Sequence, residues 1–83
     1  MANKTEEKIF KRLADLYSGR LKMEASYLAS VRFNTTNAKK NAEFLASEEW
    51  YKGSIIELEY LISSEEIQKL RVKANYGIVD LNP

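Results

Sequence analysis

The chain has 83 residues, no cysteine and no histidine, 45% hydrophobic and 30% charged residues, and a net charge of +1. These figures exclude disulfides, thiol and Ser-His-Asp catalysis and the usual zinc sites, and they disfavour disorder because apolar residues suffice to drive collapse. They also imply a marginal core: so short a chain buries only roughly 60–65% of the surface it exposes when unfolded, and with disulfides and common metal sites gone, association is the remaining way to extend it.

Asn3 followed three residues later by Glu6 has the form of a capping box and predicts a helix start. From there to about Phe33 only Gly19 opposes a helix, at a cost of about 1 kcal/mol relative to alanine. Met1 to Lys11 carries charges and no apolar stretch of a signal peptide. Lys4, Lys8, Lys11, Arg12 and Lys22 fall on one outward stripe of this helix, where they could track phosphates. Asp15 interrupts the stripe and no aromatic interleaves it, so a solvated face is the simpler expectation.

The inward side of the same helix repeats by three and four through Phe10, Leu13, Tyr17, Arg20, Glu24, Tyr27 and Val31, as in a coiled-coil seam. Arg20 and Glu24 sit in the middle of that apolar stripe, where unpaired burial is expensive. Three explanations follow. The two charges pair locally or within the chain; they meet a second, antiparallel copy of the helix across a near-palindromic seam; or they line a pocket in which Arg20 meets an anion and the tyrosines stack on a planar group.

Asn34-Thr35-Thr36-Asn37 predicts a turn with several candidate N-caps. In the second arm, Trp50, Tyr51, Ile55, Leu58, Leu61 and Ile62 share one arc at about 100° per residue, whereas Ala38, Ala42 and Leu45 lie on another. That change of face predicts a kink or break near Ser47. Ile56 and Tyr60 lie opposite the main arc and form a candidate second interface. Glu48, Glu49, Glu57 and Glu59 are the only candidates for a carboxylate-held Mg²⁺. They lack the spacing of acids paired one turn apart, and Glu57 and Glu59 point about 200° from each other.

Ser63 with Glu66 forms a second capping box, opening a short helix with Ile67, Leu70, Val72 and Ala74. Asn75-Tyr76-Gly77 should stop it, with Gly77 suited to a left-handed C-cap. Residues 78–83 read as a short extended tail. Apolar runs are far below the ~20 residues of a membrane span.

Charge is divided along the chain. Residues 1–40 hold nine Lys/Arg against four Asp/Glu, and residues 41–83 hold four against eight, +5 and −4. Either the halves pack with complementary edges or the first keeps a basic face for an anionic partner. The sequence thus predicts an all-α chain: a helical hairpin or small bundle over residues 1–77 with a kinked second arm, then a tail. The expected function is a cytoplasmic, non-enzymatic interaction protein of accessory or regulatory type, working as a homo-oligomer, with a dimer favoured. It needs no metal or cofactor and makes no membrane contact. A nucleic-acid- or nucleotide-binding regulator is the alternative, and a carboxylate–Mg²⁺ hydrolase a remote one.

Overall fold

The computed structural model describes residues 3–77. Three helices follow one another: α1 (Lys4–Arg32), α2 (Ala38–Glu59) and α3 (Ser64–Ala74), with no strand among the described residues. The expected extended tail, residues 78–83, lies outside them.

Each helix starts on a side-chain cap. Asn3 accepts from the Glu6 N–H at 2.8 Å, Asn37 from the Lys40 N–H at 2.8 Å, and Ser63 from the Glu66 N–H at 3.2 Å. Such caps satisfy N–H groups that have no partner inside the helix. Two helices end on an asparagine with positive φ, Asn34 at 56° and Asn75 at 57°. At the first, the Thr35 N–H bonds back to the Ser30 carbonyl and the Asn34 N–H to that of Val31. At the second, Tyr76 reaches Arg71 and Asn75 reaches Val72. This is the Schellman pattern, in which a left-handed residue reverses the chain and satisfies the last carbonyls. The reversal at Asn75 turns Tyr76 back toward α1.

α1 and α2 form an antiparallel hairpin: Tyr27 meets Phe44, Arg20 meets Glu48 and Tyr17 meets Glu59. α3 also packs on α1, which is therefore the common wall. Leu13, Leu16 and Tyr17 of α1, Ile55 of α2 and Tyr76 after α3 make the buried core. Ile9, Leu21, Tyr51, Leu58, Ile62, Leu70 and Ala74 pack around it half-buried. Gly19 faces α2, and a Cβ there would lie 2.7 Å from the Tyr51 hydroxyl oxygen. That contact gives the helix-weakening glycine a packing reason.

One sequence expectation changes. The second arm is one continuous helix, with no break at Ser47. Its apolar face shifts because the side turned to α1 follows the line Phe44, Glu48, Tyr51, Ile55 and Glu59, with Leu58 beside it, leaving Ala38, Ala42 and Leu45 exposed. Trp50 and Leu61, which share the apolar arc with Ile55, lie away from that line and are 53% and 62% exposed. Trp50 instead makes an edge-on contact with Tyr51, ring centroids 5.0 Å apart.

The molecule is long and thin, 48 × 31 × 15 Å, with a radius of gyration of 14.8 Å. A compact chain of this length would have about 12 Å. The excess comes from the hairpin, which α3 covers only at the end away from the turn.

Candidate functional site

The polar centre of α1 is the junction of all three helices. The Arg20 guanidinium forms a two-pronged contact with Glu48, Nε to Oε1 at 3.1 Å and Nη2 to Oε2 at 2.9 Å. Its third nitrogen donates to the Tyr76 hydroxyl at 2.6 Å. Glu24, one turn along α1, lies at 3.6 Å as a secondary partner. A second fork joins α3 to α2: Arg71 donates to both oxygens of Glu59, at 2.8 and 2.7 Å. Glu59 also accepts the hydroxyl proton of Tyr17. Tyr76 stands between the two forks, stacked on Tyr17 at 4.4 Å, with the Arg20 and Arg71 carbons 5.8 and 5.5 Å from its ring centroid.

Every member of this network therefore has a partner, and among the described residues no buried side-chain polar atom is left unsatisfied. Forked arginine–carboxylate pairs are geometrically specific, so they fix how α2 and α3 sit on α1. Burial, reinforced by the hydrogen bond to Glu59, pushes the Tyr17 hydroxyl well above its ordinary range. The hydrogen bond from Arg20 holds the Glu48 carboxyl below its ordinary value. Burial and then the nearby Glu48 charge hold Glu24 above its own, outweighing the attraction of Arg20.

The two carboxyls respond oppositely to pH. Glu48 ionises more readily in the folded chain, so its contribution is present above the unfolded value of 4.5 and is lost as pH falls through its folded pKa. Glu24 ionises less readily, so its cost is absent in acid and grows as pH rises from 4.5 to its folded pKa. We expect Glu24→Gln to raise the thermal midpoint at neutral pH and to leave it unchanged in strong acid. Equal midpoints at neutral pH would show that Glu24 carries no such cost.

No family model, characterised protein or solved structure matches this chain. Its function has to be read from its own geometry.

The seam residues do not share one environment. Leu13 and Tyr17 are buried and Phe10, Arg20, Glu24 and Tyr27 are half-buried. Val31, near the turn, is 45% exposed. Tyr27 stacks on Phe44 at 3.9 Å and donates to Asn41 at 2.7 Å. The contacts of Arg20 thus lie within the chain, chiefly with Glu48 rather than Glu24. Ile56 and Tyr60 are exposed, at 64% and 89%. Lys4, Lys8, Lys11, Arg12 and Lys22 are all exposed, as is Asp15 among them. Of the four acids considered for Mg²⁺, Glu48 and Glu59 are held in arginine forks, while Glu49 and Glu57 are exposed. No three potential metal ligands gather among the described residues.

The roles of Glu48, Glu59, Arg71 and Tyr76 are the ones that sequence reasoning missed. For Glu59 the signal was weak: four residues beyond Ile55 it lies about 40° further round the helix, just outside the apolar arc, of which Ile55 is the edge. Tyr76 carried none, because its place depends on the reversal at Asn75.

A cleft of about 650 Å³ opens beside this junction, between Arg20, Glu24, Lys52, Ile56, Arg71 and Tyr76. Its three cations face three carboxylates, Glu24, Glu48 and Glu59, on or directly behind its walls. The charges cancel, and both guanidiniums are already engaged. The junction is best described as a structural clamp.

Proposed function

We propose that the chain is a non-enzymatic interaction module that works as a homo-oligomer, with the turn end of the hairpin as the contact surface. One observation carries this reading. Beyond Glu24, the hairpin runs past the segment around Tyr76 that follows α3, and this arm exposes Leu28 at 63%, Val31 at 45%, Phe33 at 73% and Leu45 at 63%. Isolated exposed leucines are ordinary, but four large apolar residues left open on one two-helix arm of a chain with so small a core favour an association surface. Two such arms stacked together would form a four-helix arrangement and bury the faces that each leaves open.

The arm also supplies the test. These side chains contribute little to the core of a single chain, so Leu28→Glu with Leu45→Glu should preserve helicity. Sedimentation or light scattering should show a dimer for the natural sequence and a single chain for the double variant. A natural sequence that sediments as one chain from micromolar to millimolar concentration would rule this reading out.

A further inference from the structure

A second cleft, of about 400 Å³, lies between α1 and α3, on the α3-covered end of the hairpin. Phe10 and Ala14 of α1 and Leu70 and Ala74 of α3 give it apolar walls, and Ser18 contributes one hydroxyl. Lys11 and Lys73 complete its lining. Both are exposed, and neither has an ion-pair partner among the described residues. No carboxylate lines the cleft, which separates it from the junction cleft, where Glu24 stands in the wall. Its volume falls at the lower end of the range for small-molecule sites. The cleft exists because Ala14 and Ala74 are small, so α3 approaches α1 without filling the space.

We propose that this cleft binds a small amphiphilic anion, an aliphatic or flat apolar body carrying one carboxylate or similar group. The apolar body would lie between Phe10, Ala14, Leu70 and Ala74, and the anionic head would sit between the ammonium groups of Lys11 and Lys73. Two lysines lining an otherwise uncharged apolar slot give a charge complement that an uncharged ligand does not use. Lys11 thereby acquires a role that a solvated stripe would not give it. The proposal does not depend on the oligomer, because the slot lies away from the turn end.

Titration of the ¹⁵N-labelled full chain with decanoate tests this directly, with decanol as the uncharged match. Saturable shifts should centre on the amides of Ala14, Ser18, Leu70 and Ala74. Lys11→Gln with Lys73→Gln should weaken decanoate at least tenfold and leave decanol unchanged, and Ala14→Leu should block both by filling the slot. Both lysines are exposed, so the first variant keeps the fold. No saturable shift, equal affinity for decanoate and decanol, or shifts centred on Leu28 and Leu45 would overturn the proposal. Phosphatidylglycerol vesicles separate a free ligand from a lipid surface: sedimentation of the chain with vesicles, without decanoate binding, would also overturn it.

Discussion

Glu59→Ala should remove roughly 3 kcal/mol of stability, which is a large share of the total for a chain of this length. Glu59 serves two residues on two other helices. Its loss leaves the Tyr17 hydroxyl, on a residue 0% exposed, without an acceptor. An unsatisfied buried polar group costs about 1–3 kcal/mol. It also leaves the Arg71 guanidinium without its counter-ion. Breaking a fully buried pair costs about 3–5 kcal/mol, but Arg71 is 36% exposed, so solvent screens much of that. A domain of 83 residues has about 4–12 kcal/mol in all. The variant should therefore unfold at a much lower urea concentration, with its helical signal weakened even in water. Glu57→Ala is the control, since it removes an exposed acid two residues away and should change stability by no more than about 0.5 kcal/mol. Identical urea midpoints for the two variants would show that the Tyr17–Glu59–Arg71 cluster does not hold α3 in place.

This expectation rests on residues whose importance the sequence shows unevenly. The helices were legible because their signals are local. Asn3 and Ser63 each lie three residues before a glutamate, Asn34 to Asn37 are weak helix formers that favour a turn, and the three-four spacing of α1 is interrupted by charge only at Arg20 and Glu24. The buried positions Leu13, Tyr17 and Ile55 followed from the same periodicity. What was not legible depends on pairing across helices. Arg20 has a carboxylate one turn away at Glu24, and helical spacing alone makes that the natural partner. The stronger fork goes to Glu48 because α2 is antiparallel and in a register that no local pattern specifies. Trp50 shares the apolar arc of Ile55, but a two-helix contact is narrower than the arc, and the side chain fell outside it. Tyr76 is the extreme case: read as part of a helix stop, it enters the core only because Asn75 reverses the chain.

The same reasoning makes Arg20 the position at which the pairing can be tested by charge. Arg20→Glu removes the fork to Glu48 and the hydrogen bond to Tyr76, and it places a third carboxylate beside Glu24 and Glu48. The Arg20 and Glu48 side chains are only 17% and 14% exposed, so solvent relieves little of the repulsion. Loss of one partner from a buried pair costs about 3–5 kcal/mol, and the added like charge should place this variant at the upper end. Second-site reversals then identify the partner. Arg20→Glu with Glu48→Arg regenerates a forked pair across α1 and α2 with the signs exchanged, although the bond to Tyr76 is not restored, so recovery should be large but incomplete. Arg20→Glu with Glu24→Arg rebuilds only the 3.6 Å contact within one helix, and pairs of that kind contribute ~0.2–0.5 kcal/mol. It also places a cation near Glu48 from the wrong side of the fork, so recovery should be smaller. Thermal unfolding of the four proteins, with molecular mass measured in the same solutions, separates the cases. Better recovery with Glu24→Arg than with Glu48→Arg would mean that the α1–α2 register is wrong. Recovery that appears only as the mass doubles would assign the pair to a contact between two chains. Recovery with Glu48→Arg at constant mass is the result that the fork requires.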